Sequence, residues 1–107
     1  MLINKNSAHP QKDEITVVKL TSGEEIIATV SDINEIHISL YRPCTLGIGQ
    51  GGHPVMNKWM VFADKDKPVE IKTSSIVAFA TPDSDMAAHY TTLTSNIVTA
   101  PAGLVTR

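Results

Sequence analysis

The chain has 107 residues, 42% of them hydrophobic and 19% charged, and its 9 Lys and Arg against 11 Asp and Glu give a formal charge of -2. That length sets one domain around a single core, and the composition is that of an ordinary soluble globular protein, which excludes disorder over most of the chain. The charge balance excludes indiscriminate attraction to nucleic acid or to an anionic membrane and leaves room for selective binding at a small site.

No run approaches the ~18 apolar residues of a membrane span, and the N-terminus has no signal-peptide core, so a cytoplasmic setting is the expectation. Cys44 is the lone cysteine and has no internal disulfide partner, in keeping with a reducing compartment.

Residues 1–14 are polar after the first three and contain Pro10, which reads as a loose arm. As a nucleic-acid arm it is weak, because Lys5 and Lys12 are offset by Asp13 and Glu14. Two apolar-rich runs between Val17 and Ser31 then flank Thr21-Ser22-Gly23-Glu24, the pattern of a β-hairpin. Ile26, Ala28 and Val30 alternate with more polar positions, and Ile36, Ile38 and Leu40 continue that period of two into a third strand. Tyr41-Arg42-Pro43 prolongs this strand toward Leu46, and Pro43, lacking an amide hydrogen, points to a sheet edge or a bend.

Gly47, Gly49, Gly51 and Gly52 interrupt the pattern, and Pro54 and a strand follow. A phosphate-cradling loop needs a helix N-terminus and a nearby Lys, so a flexible strand connection is the expectation. Val55 to Ala63 reads as one long strand, apolar on both faces, which predicts strong curvature, barrel closure or a subunit contact. Asp64-Lys65-Asp66-Lys67 reads as a solvated turn rather than a metal pair. Val69 and Ile71 begin another short strand, Thr73-Ser74-Ser75 makes a sharp turn, and Ile76 to Ala80 forms the next strand. Thr81 as N-cap and Pro82 at the first helical position open a helix over 82–97, with Met86, Tyr90, Leu93 and Ile97 as its apolar stripe. The polar face of that helix lacks Lys and Arg, which favours packing over a membrane surface. Residues 98–107 read as a tail.

The fold class is thus mainly β: a five-stranded, strongly bent antiparallel sheet or small open barrel over residues 15–81, followed by a C-terminal helix. Within it, VKLTSGEEIIATVSD followed by IHISL resembles the first motif of Sm-like proteins, with Val18, Leu20, Gly23, Val30, Asp32, Ile36, Ile38 and Leu40 fitting the pattern. IKTSSIVAF is similar to the family's second motif, with Ile71, Lys72, Ile76 and Phe79 at corresponding places, so that the resemblance covers about residues 16–80. The departures are specific. His37 stands where the family has a base-contacting Asn, Lys72 replaces its Arg, Thr73 its Gly and Ala28 another Gly, and the family's N-terminal helix has no counterpart before Ile15.

The resemblance implies a homo-oligomeric ring joined through sheet edges, in which the two motif turns meet at the central opening. His37, Lys72, Asn34 and Tyr41 would there contact single-stranded RNA, the imidazole by stacking and the ammonium through phosphate. The alternative is a non-enzymatic assembly or protein-interaction module that keeps the ring and does not bind RNA. Neither reading involves a cofactor, a metal or a membrane, and neither is an enzyme. His9, His37, His53 and His89 lack metal-ligand spacing, and Cys44 beside Pro43 lacks the signature of an activated nucleophile.

Overall fold

The computed structural model describes residues 10–99, with side chains through Ser95. In chain order it contains β1 (Ile15–Leu20), β2 (Glu25–Ile33), β3 (His37–Ile48), β4 (Pro54–Lys58), β5 (Val69–Lys72), β6 (Ile76–Ala80) and α1 (Ser84–Thr99). The architecture is mainly β, a bent antiparallel sheet followed by one C-terminal helix, as the alternation predicts. Lys5 of the N-terminal arm and residues 100–107 of the tail lie outside the described residues.

The hairpin forms where the sequence places it. Val18 faces Ile26 across β1 and β2, and the reversal turns on Gly23, whose φ of 97° is a conformation that a Cβ disfavours. Leu20 and Glu24 close the turn with a 2.9 Å backbone bond. The sheet runs β4-β3-β2-β1-β6, with β5 also on β3. β4 pairs with residues 44–48 of β3, and β5 pairs with residues 37–40 along the same edge. There are thus six strand segments rather than five. A 3-10 turn at Thr73–Ser75 carries the chain from β5, on β3, to β6, on β1, and no ladder closes the sheet there.

β3 is bent inside the sheet, and the bend decides what each face buries. Pairing with β2 shifts between Ile27, opposite Cys44, and Thr29, opposite Tyr41, so that Ala28 alone faces both Arg42 and Pro43. Arg42 sits in this bulge with a φ of 48°. The extra residue inverts the side-chain alternation. Ile38 and Leu40 therefore face one core with Val18, Leu20, Ile26, Ala28 and Val30. Cys44 joins Ile27, Met56 and Tyr90 of α1 in a second core on the opposite face. Pro43 marks the bend, as its missing donor allows, but it lies within a central strand and not at an edge. Its carbonyl accepts the Trp59 amide at 2.9 Å.

Three further expectations are corrected. The strand expected over Val55 to Ala63 stops at Lys58: the ammonium of that residue donates to the carbonyls of Val61 and Ala63 at 3.2 and 3.1 Å and holds the following residues in a turn. Met60, Val61 and Phe62 are consequently exposed. The helix starts two residues later than expected, because Asp83 rather than Thr81 caps it. The Asp83 carboxylate accepts the Asp85 amide at 3.1 Å, and its carbonyl accepts the Ala87 amide at 2.9 Å. At the other end, Asp13 donates to the carbonyl of Val30 at 2.7 Å and Glu14 accepts from the Val30 amide, so the inner part of the arm is bonded to β2 rather than loose.

The helix packs as its stripe predicts. Met86, Tyr90 and Leu93 meet the second core, while the side chain of Ile97 lies outside those described. Tyr90 is 2% exposed, and its hydroxyl reaches the carbonyls of Tyr41 and Arg42 at 3.0 and 3.2 Å and Thr29 Oγ1 at 3.2 Å. The bulge thus supplies the acceptors that fix the helix. No helix among the described residues is long and apolar enough to cross a membrane.

Candidate functional site

Two turns meet at one end of the sheet, the β2–β3 turn and the β5–β6 turn. In the first, Asn34 Oδ1 accepts the amides of Ile36 and His37, both at 2.9 Å, and the Asn34 amide donates to the His37 carbonyl. Such a self-bonding Asn specifies a tight reversal. In the second, Thr73 Oγ1 donates to the carbonyls of Glu35 and Ile36 at 2.7 and 3.1 Å, and the Thr73 amide donates to the Ile36 carbonyl at 2.8 Å. A residue of one turn therefore satisfies the backbone of the other.

This arrangement sets His37 directly opposite Lys72 in the β3–β5 ladder. The bond from Thr73 to Ile36 joins the residues just outside that pair, so His37 and Lys72 form the non-hydrogen-bonded kind of pair, in which facing side chains approach most closely. His37 is half-buried and Lys72 exposed. The pair lies on the sheet face opposite Ile38 and Ile71, which turn toward the first core.

The four residues expected at the site divide. His37 and Lys72 come together. Asn34 is beside them, but its carbonyl oxygen is committed to the turn and leaves only its amide NH2 for a ligand. Tyr41 lies four residues along β3 from His37, about 13 Å at the rise of a strand, and its neighbourhood is the anchor of α1. It does not join the cluster. Thr73 was legible only as a departure from a Gly; its hydroxyl proves to be the clasp between the turns.

The electrostatic surroundings are mixed. Ser39 is opposite Glu70 on one side and Asp32 on the other, so two exposed carboxylates lie two positions along the ladder from His37 and Lys72. Elsewhere, burial pushes the Cys44 thiol up from its ordinary value. Burial also raises the Tyr90 phenol, partly offset by its bond with Thr29. The glycine-rich segment joins β3 to β4 through a 3-10 turn at Gln50–Gly52, with Gly49 and His53 bonded at 2.7 Å. Among the described residues no three His, Cys, Asp or Glu side chains gather as a metal-ligand set. Compared with the models of known protein families and with curated proteins, the sequence matches none.

Proposed function

We propose that this chain is an Sm-like protein that joins copies of itself into a ring and binds single-stranded RNA where the paired turns of each copy meet. The observation that carries the ring is the state of the sheet ends. Among the described residues β4 and β6 are the outermost strands of the order, and an outermost strand is where a further chain can add. Val77 on β6 is exposed, as are Met60, Val61 and Phe62 after β4. Such apolar groups beside the outermost described strands favour association. Because the two edges are different surfaces, joining one to the other is a head-to-tail contact, and it ends in a ring when the rotation closes.

Native mass measurement tests this assembly. A multiple of the 11.6 kDa chain is expected, with Val77→Lys and Phe62→Glu moving the population toward single chains while far-UV circular dichroism stays unchanged. A solitary chain as the principal species at micromolar concentration would remove the ring.

RNA binding is supported by the His37–Lys72 pair. Each copy of a ring would present one imidazole and one ammonium, and repetition raises a weak contact to useful avidity. Fluorescence anisotropy with single-stranded oligonucleotides across salt concentrations is the test. Lys72→Ala is expected to lower both affinity and the salt slope, and His37→Ala to lower affinity with little change in slope. Unchanged binding in both variants would sink this site. The flanking Asp32 and Glu70 favour the second reading, an assembly module without RNA binding; an intact ring that ignores RNA at low salt would select it.

A further inference from the structure

On the helix side of the sheet, far along β3 from the paired turns, lies a cavity of about 220 Å³. It is bounded by the β3 bulge, by β4 and the segment that follows it, and by Leu93 and Thr94 of α1. Its apolar wall includes Pro43, Cys44, Met56, Met60, Val69 and Leu93. An apolar cavity of about 150 Å³ already accepts a benzene ring, so this one has room for a somewhat larger hydrocarbon body and is below the usual size for a drug-like molecule.

The polar part of the lining is lopsided. Arg42, Lys58, Lys65 and Lys67 contribute cations, whereas Asp64 is the lining carboxylate. Asp66 is shared between Arg42 at 3.4 Å and Lys65 at 3.2 Å. Lys58 is occupied by two carbonyls, and Lys67 enters no ion pair among the described residues. This cationic rim belongs to a chain whose formal charge is -2. Arg42 is also under-satisfied: its Nε is buried and has no hydrogen-bond partner among the described residues. A buried donor of a charged group without an acceptor is costly, and its Nη2 is bonded to Asp66 only at the long distance of 3.4 Å. Because Nε is closed to solvent, a carboxylate entering the cavity meets the Nη groups of a side chain that is 25% exposed, and these charged donors suit its oxygens.

We infer that this cavity binds a small carboxylate with an apolar body, the hydrocarbon against Met56 and Leu93 and the carboxylate on Arg42 with Lys67 beside it. The site uses neither His37 nor Lys72 and so stands apart from RNA binding, while Met60 and β4 border both the cavity and the proposed ring edge.

Cys44 lines the cavity and is the single cysteine, which makes it the reporter. The rate of its modification by iodoacetamide is measured on the full chain with increasing octanoate, 1-octanol or acetate. Octanoate is expected to slow the reaction at least fivefold with saturation, and octanol and acetate to require at least tenfold higher concentration. Arg42→Gln should raise the half-protective octanoate concentration about tenfold and Lys67→Gln about threefold, each with an unchanged circular dichroism spectrum. If Arg42→Gln does not fold, the Lys67→Gln shift and the octanol comparison decide. Equal protection by octanol, no saturable protection, or an unchanged half-protective concentration in the folded variants would overturn the inference. Octyl phosphate acting at tenfold lower concentration than octanoate would overturn the carboxylate assignment.

Discussion

The two faces of this sheet are built by the same strands to different standards. One buries Val18, Ile26, Ala28, Val30, Ile38 and Leu40 completely, and its buried polar side chain, Thr16, is a small hydroxyl that donates to the Ala80 carbonyl at 3.3 Å. The other, under α1, contains a thiol, a phenol and the edge of a cavity. Aliphatic groups packed on all sides leave no room for a ligand, whereas a helix laid across a bent sheet over large, partly polar side chains leaves space and hydrogen-bonding groups. The first face holds the strands in register, and the second is where the molecule has chemistry to offer.

The sharpest test compares truncations on the two faces. Ile38→Ala is expected to cost about 4 kcal/mol, toward the upper part of the range for fully buried aliphatics, and Met56→Ala about 2 kcal/mol, because Met56 borders an existing void and forfeits fewer contacts. Urea midpoints with unchanged slopes measure the difference, and equal losses would erase the contrast between the faces.

Next in size is the helix anchor. Tyr90→Phe should cost about 1–2 kcal/mol by removing the phenol donor from the Tyr41 and Arg42 carbonyls, the second of which still accepts from the Cys44 thiol at 3.5 Å. Hydrogen exchange should show α1 opening well before β1 to β3. Thr73→Val keeps the shape of the side chain and removes the clasp between the two turns, for an expected loss of about 1 kcal/mol. Its effect should appear in amide chemical shifts at Glu35 to His37 and not at Tyr90.

The smallest effect is one of pH. Burial raises Cys44 above its ordinary 9.0 and Tyr90 above 10.0, so the folded state holds these protons more tightly than the unfolded chain. Their contribution is fully present below the ordinary values and is lost as pH rises through the higher folded ones. Stability should therefore decline on the alkaline side beginning near pH 9, and Cys44→Ala should remove the earlier part of that decline relative to its own value at pH 7. Urea midpoints taken from pH 7 to 11 check this, and parallel profiles for the two proteins would contradict it.

The hairpin and the start of β3 were legible because Ile26, Ala28, Val30, Ile38 and Leu40 keep a strict period of two. The rest of β3 was not, since the bulge at Arg42 shifts the phase and Cys44 and Leu46 then look misplaced. WMVFA carries the composition of a strand, and only the fold of Lys58 onto two later carbonyls shows why it is a turn. At the candidate site, the meeting of His37 and Lys72 was anticipated from the two motifs, whereas Asn34 as a turn-former and Thr73 as a clasp depend on hydrogen bonds that no spacing announces. The cavity draws on residues from Arg42 to Thr94, too scattered for any local pattern to reveal.

The extra residue at the bulge also bears on how this chain tolerates change in length. Removing one residue between Tyr41 and Cys44 would bring the two halves of β3 into a single phase. Either Ile38 and Leu40 would be turned out toward water, or Cys44 and Leu46 would lose the helix. A substitution at Arg42 alters one side chain, but a single-codon deletion there exchanges the inside and outside of half a strand, so this is the place where length is least negotiable.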